Sequence, residues 1–514
     1  MLQNIETIHQ SPPFQPDIAL IAFSPLVHIL ESDLPFHFHI GPALSIMLSI
    51  NLQTRLLLLV VLSLSVPLAR MAGAPLVLVG AAKTDITPDL PIRLTGYTGR
   101  PAETDQIERR LYARALAIGA DRQSPAVLIT VEVIGISRDI ADAVAASLKA
   151  KHGIERERVS VCSTHVHSGP AIRGVLPFMF AKDLPAAELS RIDRYTDTLV
   201  DKLVNVAVAA LEDRRPGSLG WAEGRVGFAT QRRRIADGKW IGGGGADFEG
   251  HADRVLPLMR VTDDKGVVRA LFTSYACHCT SIGGAENFIH SDWAGEASAE
   301  IETTHDGAVA LIALGCGADA NPYPRGSIDT AIQHGKSVAA EVGRLLQQPF
   351  RPLDRVTIAR YRQIELAFDH PITREELQDR IRTSTKRPRI YAASKFIQEI
   401  DSGGGPPAGV PYPVQTWIFG DALAMVFLGG EVVSEYALRL RREFDADRLW
   451  VNAYANDVAC YIPSKRMFAE GGYEVDSSMD FYGLPSRLSI QTEDRVIDTV
   501  HSLIPSNFYR PIKN

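Results

Sequence analysis

The sequence predicts an α/β fold, because apolar strands alternate with amphipathic helices along the chain. Leu76–Ala81 and Arg114–Gly119 have the composition of strands, and Ala126–Ile134 is almost entirely β-branched or apolar, as in a strand buried in a sheet. Arg138–Lys151 then carries apolar residues at the spacing of one helix face. Val159–Thr164 follows as the next strand and completes a β-α-β unit.

The later part of the chain repeats this order. Val268–Tyr275 is predicted to be a strand, Asp292–Thr303 a helix and Ala308–Leu314 a buried strand. Gln415–Phe419 and Ala422–Leu428 flank Gly-Asp and are predicted to pair as a hairpin. Gly429-Gly430-Glu431 is then predicted to open a helix that carries Val433, Tyr436, Leu440 and Phe444 on one side. A β-α-β unit is parallel and a hairpin is antiparallel, so we expect mixed sheets flanked by helices.

The composition and charge of the chain limit which kinds of molecule it is expected to bind. The chain has 514 residues, of which 46% are hydrophobic and 22% charged, as is ordinary for a globular enzyme. Its net charge of −6 is mild, and no stripe of Lys and Arg is interleaved with aromatic residues. Nucleic acid is therefore not an expected partner.

The N-terminal segment has the pattern of an export signal. Arg55 precedes the apolar run Leu56–Val66, and small residues follow at Ala72–Ala74. The run is too short for a comfortable membrane span, so we expect a mature protein that is secreted or periplasmic, with no stable span; a signal anchor is the alternative. We expect Met47 to be the true start, residues 1–46 to be a mis-called extension and residues 47–74 to be the signal peptide.

The five cysteines do not form a framework of paired spacings. Cys277 and Cys279 flank His278, which makes a thiolate metal site conceivable, but no CxxC spacing supports it. Burial as small apolar residues is the favoured prediction for the cysteines.

The most informative motif is His165-Val166-His167-Ser168-Gly169-Pro170, directly after the Val159–Thr164 strand. Residues two apart on a strand point to the same side, so the two imidazoles are predicted to project together. Such a pair suits one metal ligand plus one group for proton transfer or oxyanion binding. The alternative is a pair of partly exposed histidines at a turn.

Metal-capable or polar groups also follow three other predicted strands, at His278, at Asp319-Ala320-Asn321-Pro322 and at Glu431. Ligands bind at the carboxyl ends of strands in open α/β sheets. The chain has no HExxH helix, which excludes that type of metalloprotease site, and no GxSxG motif, which excludes the nucleophile elbow of the α/β-hydrolases. Gly335-Lys336-Ser337 also lacks the upstream glycine of a phosphate loop, where Thr330 stands.

Taken in order, the motifs resemble the neutral/alkaline (non-lysosomal) ceramidase family of zinc amidohydrolases, over about the whole mature chain. The segments that carry the resemblance are Gly80–Pro88, Gly96-Tyr97, Leu111–Ala115, Thr164–Pro170, His278 with Thr280-Ser281, Gly430-Glu431 with Arg439–Arg441, and Asn452–Tyr454. The resemblance implies a single large α/β catalytic domain over residues 75–514, with mixed β-sheets flanked by helices.

The resemblance also implies zinc as the cofactor, with His165, His278, Glu431 and Tyr461 as its ligands. The interval from Asn452 to Tyr461 is a few residues longer than in the family, and a core aromatic is the alternative for this tyrosine. Ligands of these types accept several divalent ions. Asp292 is expected to orient a ligand, or otherwise to act as a helix N-cap.

The implied reaction is attack of a metal-activated water on an amide carbonyl. Zinc lowers the pKa of its water to about 7. In the family pattern, His167, Arg232 and Tyr473 stabilise the resulting oxyanion. The alternative for the arginine run is a solvated surface, and Arg233 or Arg234 is another candidate for the inward side chain.

Two departures from the family matter. The ceramidases carry Gly-Asp-Val-Ser-Pro-Asn with a proposed nucleophilic serine, and Asn321 stands at that serine's position. An amide cannot be that nucleophile, so Asn321 is expected to hydrogen-bond the substrate, and Arg325 to read an anionic or sugar-like group. About forty residues follow Tyr473, fewer than the roughly 100 of the family's C-terminal β-sandwich.

The sequence therefore predicts an exported zinc-dependent hydrolase that cleaves the amide bond of an N-acylated substrate. The substrate is expected to be a ceramide-like lipid, an N-acyl amino sugar or another N-acylated small molecule. The alternatives are a zinc esterase and a non-catalytic binding protein on the same fold.

Overall fold

Residues 76–510 are described by the computed structural model, and the extension and signal peptide expected over residues 1–74 lie outside them. The strands are β1 (Val77–Asp85), β2 (Tyr112–Ile118), β3 (Ala126–Val131), β4 (Val159–Ser163), β5 (Arg215–Arg225), β6 (Ala229–Gln231), β7 (Arg234–Ala236), β8 (Lys239–Gly242), β9 (Val255–Asp263), β10 (Val268–Tyr275), β11 (Val309–Leu314), β12 (Ala320–Pro322), β13 (Arg351–Leu353), β14 (Ile358–Ala367), β15 (Gly409–Phe419), β16 (Leu423–Leu428), β17 (Glu431–Val432), β18 (Leu449–Asn452) and β19 (Tyr461–Ile462). The helices are α1 (Arg138–His152), α2 (Ala186–Glu212), α3 (Asp292–Thr304), α4 (Ile328–Leu346), α5 (Arg374–Thr383), α6 (Arg387–Asp401), α7 (Ser434–Glu443), α8 (Met467–Glu470), α9 (Met479–Tyr482) and α10 (Thr492–Leu503).

A nine-stranded mixed sheet contains both predicted β-α-β units. Its order is β11-β10-β9-β5-β1-β2-β3-β4, with β13 paired to β5. The β3–β4 and β10–β11 pairs are parallel, and helices α1 and α3 connect them. Its other pairings are antiparallel. The predicted α/β class with mixed sheets flanked by helices is confirmed.

A second sheet, in the order β14-β15-β16-β18, packs against one face of the first. The core between them contains Trp221 and Phe272 from the first sheet and Trp417 and Trp450 from the second. The rings of Phe272 and Trp450 are stacked, with centroids 4.7 Å apart. Helix α2 packs on β1 and β2, and α10 packs on β14 and β15. The outer faces of the two sheets are thus shielded by helices, as buried apolar strands require.

The segment Ala453–Asn456 joins the two edges of the first sheet. The Ala453 N–H donates to the end of β11 (2.9 Å) and the Asn456 N–H donates to β4 (2.7 Å). The Ala455 N–H donates to the end of β16 in the second sheet (3.0 Å). One short stretch of backbone therefore holds the carboxyl ends of three strands together.

Two predicted boundaries need correction. The helix that the sequence places directly after Gly430-Glu431 begins only at Ser434, because Glu431–Val432 forms strand β17 and pairs in parallel with β19. The strand predicted over Ala126–Ile134 ends at Val131. In both places a local apolar pattern continues past the point where the backbone changes its hydrogen-bond partner.

The cysteines are all buried free thiols, in accordance with the favoured prediction. Within residues 76–510, none of the helices combines the length and apolar character that crossing a membrane requires.

We predict opposite effects for alanine at two glycines of α4. A Cβ added at Gly335 would lie 2.4 Å from the Glu296 Cβ of α3, whereas one at Gly343 would meet nothing within 4 Å. Gly335→Ala is therefore expected to lower the free energy of unfolding by about 1–3 kcal/mol. Gly343→Ala should raise it by up to about 1 kcal/mol, because alanine favours helix. Urea unfolding measures both, and equal effects would contradict the packing of α3 on α4.

A second prediction concerns Asp457, whose carboxylate accepts the N–H of Arg138 at the start of α1 (3.2 Å). Burial raises its pKa from 3.8 to about 7. Between about pH 4 and pH 7 the unfolded chain releases a proton that the folded chain retains, so folding is progressively penalised as the pH rises, and the penalty is constant above pH 7. Asp457→Asn cannot ionise but retains a capping oxygen.

We therefore expect the melting temperature of Asp457→Asn, relative to the wild type, to increase from pH 4.5 to pH 8. Differential scanning calorimetry across this range tests the expectation. A difference that does not change with pH would show that Asp457 ionises normally in the folded protein.

Candidate metal centre and active site

Four chain segments meet at one end of the two sheets. His165 follows β4, His278 follows β10, Glu431 follows β16, and Tyr461 begins β19. The β17–β19 pairing places Glu431 opposite Tyr461. The His278 N–H donates to the Ala320 carbonyl (3.0 Å), which fixes the loop after β10 to the loop after β11.

The two histidines of the motif after β4 lie together, as the sequence predicts, but in a turn. Strand β4 ends at Ser163, and His165 has a φ of +53°. The centroids of the His165 and His167 rings are 4.8 Å apart, with the rings edge to face. The predicted extended geometry is replaced by a left-handed residue, which is uncommon outside glycine and marks a backbone position set by its surroundings.

The inward atoms of the first three groups converge. The Glu431 Oε2 lies 3.0 Å from the His165 Nε2 and 3.1 Å from the His278 Nε2. The Tyr461 hydroxyl lies 3.3 Å from the His278 Nε2. The His165 Nε2 and the Glu431 Oε2 are fully buried, yet neither has a hydrogen bond of good geometry despite this proximity. Buried polar atoms are seldom left unsatisfied, so this arrangement fits a shared cation.

The outward atoms fix the tautomers of both imidazoles. The His165 Nδ1 lies 2.6 Å from the Ile134 carbonyl and the His278 Nδ1 lies 2.9 Å from the Gly317 carbonyl. Because a carbonyl only accepts, each Nδ1 carries the hydrogen, and each Nε2 presents its lone pair inward. This is the usual outer contact of a metal-binding histidine. Burial lowers the pKa of His278 to about 4, so its ring is neutral at physiological pH.

His167 offers a third ring nitrogen. The ring nitrogens of His165, His167 and His278 form a group within 4.8 Å of one another. The His167 Nδ1 donates to the Gly96 carbonyl (3.0 Å), and its Nε2 is buried without a partner. Gly96 has a φ of +90°, and a Cβ there would lie 2.7 Å from the His167 Cγ, so this position requires glycine. Burial, followed by the neighbouring imidazoles, lowers the His167 pKa well below its ordinary value.

Tyr482 binds the other oxygen of Glu431, and sequence reasoning missed it. Its buried hydroxyl donates to the Glu431 Oε1 in a short hydrogen bond. This leaves Oε2 as the oxygen that faces the two imidazoles. Burial opposes ionisation of Glu431, but the adjacent imidazoles hold its pKa well below the ordinary value. Tyr482 lies on the four-residue helix α9, and no motif in the sequence marks it.

Arg232 is the inward arginine of the three in the run. Its Nη2 donates to the Tyr461 hydroxyl (3.1 Å), and its Nη1 lies 3.3 Å from the His278 Nε2. Its Nε donates to Glu474 (2.9 Å). The alternative that the run is solvated surface is therefore wrong for Arg232, which is only 9% exposed. The guanidinium is held by one edge and presents the other edge to the candidate ligands.

The neighbouring arginines have different surroundings. Arg233 is buried and donates to the second oxygen of Glu474 (2.5 Å) and to Glu470 (2.9 Å). Arg234 is exposed. Sequence reasoning missed Glu474 as the residue that binds both buried arginines, although it directly follows the predicted Tyr473. The shared carboxylate offsets the repulsion between two adjacent buried cations.

Two tyrosines, Tyr461 and Tyr473, lie next to Arg232. Burial raises the pKa of Tyr461 well above its ordinary value, although Arg232 acts in the opposite direction. The ring of Tyr473 lies 5.3 Å from that of Tyr461, and the Arg232 guanidinium lies 5.6 Å from the Tyr473 centroid. Tyr473 therefore contacts the site through its neighbours, and burial raises its pKa also.

Asp292 supports the loop that carries His278. Its carboxylate accepts the N–H groups of Ser281 (3.1 Å) and Ile282 (3.0 Å). The next residue, Trp293, donates its Nε1–H to the His278 carbonyl (2.9 Å). The Asp292 carboxylate thus binds backbone N–H groups and makes no hydrogen bond to the side chain of a candidate ligand. It accepts from the loop after His278 as well as from the first turn of its own helix.

Asn321 lies in β12, which pairs with β6 just before Arg232. Its side chain is 4% exposed, and its Oδ1 lies 3.5 Å from the Thr280 Oγ1. The Arg325 Nη1 lies 3.4 Å from the same hydroxyl. Both contacts are long for hydrogen bonds. Asn321 thus contacts Thr280, in the loop that follows His278, and does not contact a candidate ligand directly.

The chain is similar to known sequences of one family. Residues 77–320 match the family model described as neutral/alkaline non-lysosomal ceramidase, N-terminal. Neutral ceramidase 1 of Arabidopsis thaliana is 25% identical over 235 residues, which are 45% of this chain and 29% of that protein. Neutral ceramidase of Pseudomonas aeruginosa is 28% identical over 250 residues, which are 47% of this chain and 36% of that protein. The matched region spans about a third of each relative.

Two solved structures have the same fold. The neutral ceramidase from Pseudomonas aeruginosa superposes with a TM-score of 0.62 at 19% identity, over 83% of this chain and 74% of that chain. A ceramidase complexed with C2 superposes with a TM-score of 0.64 at 19% identity, over 86% of this chain and 78% of that chain. Residues 77–320 of this chain therefore resemble the N-terminal region of the neutral/alkaline non-lysosomal ceramidases, and the chain has the fold of the solved ceramidases.

Proposed function

We propose that this protein is a zinc-dependent hydrolase that cleaves the amide bond of an N-acylated substrate. The observation that carries the proposal is the convergence of two imidazole Nε2 atoms on one oxygen of Glu431, with each group oriented by an outer partner. The match of residues 77–320 to a ceramidase family model supports amide bonds as the target. The chain would act as one domain over residues 75–514, after export directed by residues 47–74.

The residues that would hold the metal are His165, His278, Glu431 and Tyr461. Neutral imidazoles and an ionised carboxylate are the protonation states that a divalent ion requires, and the lowered pKa of His278 agrees with a neutral ring. Two imidazole nitrogens and a carboxylate oxygen are ligand types that zinc binds in proteins. When bound, the metal lowers the pKa of a water molecule to about 7, which supplies a nucleophile at neutral pH.

Arg232 would bind the carbonyl oxygen as it gains negative charge. Its guanidinium is buried and anchored through Nε, so its Nη groups are oriented before the substrate arrives. Donors fixed in a site that excludes water contribute more than the same donors in solution. Tyr473, next to Arg232, and Asn321, next to Thr280, would be further contacts for the substrate.

His167 would accept a proton at Nε2. Its Nδ1–H is engaged by the Gly96 carbonyl, so the neutral ring has a free lone pair and no hydrogen on the inward side. The lowered pKa keeps this ring neutral before reaction. It would therefore act as a proton acceptor first, and as an oxyanion donor only after protonation, which refines the role that the family resemblance implies.

The ester-hydrolase alternative uses the same residues, because esters are attacked more easily than amides. A non-catalytic binding protein is the second alternative, and it is favoured by the asparagine at position 321, where the family carries a serine. Metal content and turnover distinguish these possibilities.

The direct test compares the wild type with His165→Ala, using metal analysis and hydrolysis of ceramides, N-acyl amino acids, N-acyl amino sugars and matched esters. We expect about one zinc per wild-type chain, and loss of both metal and turnover in a folded variant. His501→Ala is the control, because His501 pairs with Glu443 outside the site. Turnover of the wild type without bound metal, or a His165→Ala variant that remains active, would overturn the proposal.

A further prediction tests the support of Glu431. Tyr482→Phe removes only the hydroxyl that donates to the Glu431 Oε1. Loss of such an outer contact typically weakens metal affinity by about 10- to 100-fold, and we expect a loss in that range here. Competition with a chromophoric chelator measures it.

The matched control for this prediction is Tyr436→Phe. The Tyr436 hydroxyl is equally buried but donates to the Pro463 carbonyl (3.1 Å). Its loss is expected to lower stability without changing metal affinity. Equal metal affinities for Tyr482→Phe and the wild type would show that Glu431 does not need this tyrosine.

A further inference from the structure

Arg325 lies beside the candidate active site on the loop that begins with Asn321. Its guanidinium approaches the Thr280 hydroxyl (3.4 Å), and that hydroxyl approaches the Asn321 Oδ1 (3.5 Å). Thr280 is two residues after His278, so Arg325 is separated from the ligand set by one side chain. Arg325 is exposed, in contrast to Arg232.

Within residues 76–510, Arg325 makes no ion pair with a carboxylate. The acidic groups of the site are already engaged: Glu431 faces the imidazoles, Glu474 binds two arginines, and Asp292 accepts backbone N–H groups. None of these acidic groups forms an ion pair with Arg325. An exposed arginine with free N–H groups is well suited to bind a carboxylate through two parallel hydrogen bonds.

A second cation increases the positive potential on this side of His167. Arg100 is buried, and its hydrogen bonds go to backbone carbonyls and to the Ser168 hydroxyl. It thus brings a positive charge to the site with no carboxylate partner among the described residues. An anionic group that enters beside Arg325 would be attracted by both cations.

Two aromatic rings lie on the same rim. Tyr323 is 50% exposed and Phe248 is 60% exposed, and their centroids are 5.0 Å apart, edge to face. Tyr323 is two residues from Asn321 and two from Arg325. The rim thus combines an apolar surface with an unpaired cation, which fits a substrate that has an apolar chain and an anionic group.

We propose that Arg325 selects N-acylated substrates that carry a carboxylate near the scissile amide, such as N-acyl amino acids, over neutral substrates such as ceramide. This inference rests on the proposed hydrolase function and names its substrate class. The carboxylate would accept from the Arg325 guanidinium, while the acyl chain lies against the rim of Tyr323 and Phe248. Arg325 would therefore determine specificity without taking part in bond cleavage.

The test compares hydrolysis of an N-acyl amino acid with that of its C-terminal primary amide, which differs only in the negative charge. We expect the wild type to prefer the acid, and Arg325→Gln to reduce the ratio of kcat/KM values roughly tenfold, mainly through KM for the acid. Arg325→Glu should invert the preference, and Arg325→Lys should retain part of it. Added salt should weaken the wild-type preference.

Arg122→Gln is the matched control. Arg122 is also exposed and without an ion pair in the described structure, but it lies before β3, at the opposite end of the strand from the site. It removes the same charge and should leave the ratio unchanged. A wild type without preference for the acid, or an equal loss for acid and amide in Arg325→Gln, would overturn the inference.

A binding measurement separates this inference from the proposed hydrolase function. Calorimetric titration of His165→Ala with the N-acyl amino acid reports recognition without turnover. We expect His165→Ala to bind the N-acyl amino acid, and the added Arg325→Gln substitution to weaken this affinity roughly tenfold. If the wild type hydrolysed no substrate but this binding remained, the hydrolase proposal would fail and the role of Arg325 in recognition would stand. If the wild type hydrolysed its substrate but the affinity did not depend on Arg325, the role of Arg325 would fail and the hydrolase proposal would stand.

Discussion

The pairing of Ala453–Asn456 with β4, β11 and the end of β16 is the constraint on which the candidate site depends. His165, His278 and Glu431 each follow a strand whose carboxyl end lies in this region, and Tyr461 begins β19 opposite Glu431. Strands β4 and β11 lie at opposite ends of the sheet order, and this segment pairs with both. The Tyr454 ring at its centre packs on His165, with centroids 4.7 Å apart.

Electrostatics then determine which atoms face inward. A buried charge without a partner is costly, and each buried ion of the site has one. Outer carbonyls bind the Nδ1 atoms of both ligand histidines, Tyr482 binds one oxygen of Glu431, and Glu474 binds Arg232. These outer contacts leave the lone pairs and donors of the inner atoms directed toward one another. The site is thus oriented by groups that take no part in the proposed reaction.

Much of the fold was predictable because it depends on local pattern. Apolar runs such as Ala126–Ile134 and the amphipathic helix after it identify the β-α-β units, which rest on neighbouring segments of chain. The helix start after Gly430 was predicted too early, because the pairing of Glu431 with Tyr461 joins residues 30 positions apart. Periodicity carries no information about such a partner.

The inner residues of the candidate site were predictable from the sequence, but the residues that orient them were not. His165, His167, His278 and Glu431 were identified by their places after predicted strands, and motif resemblance added Arg232 and Tyr461. Tyr482 and Glu474 were missed, because an orienting residue is recognised by the atom it contacts rather than by its neighbours in sequence. Their roles follow from the hydrogen bonds that they make to Glu431 and Arg232.

The most direct measurement is the anomalous diffraction of a crystal of the protein at the zinc absorption edge. We expect a single strong peak within about 2.0–2.2 Å of the His165 Nε2, the His278 Nε2 and the Glu431 Oε2. A peak coordinated by His167 in place of Glu431 would contradict the proposed ligand set. Absence of a peak in a protein that still hydrolyses its substrate would contradict the metal centre itself.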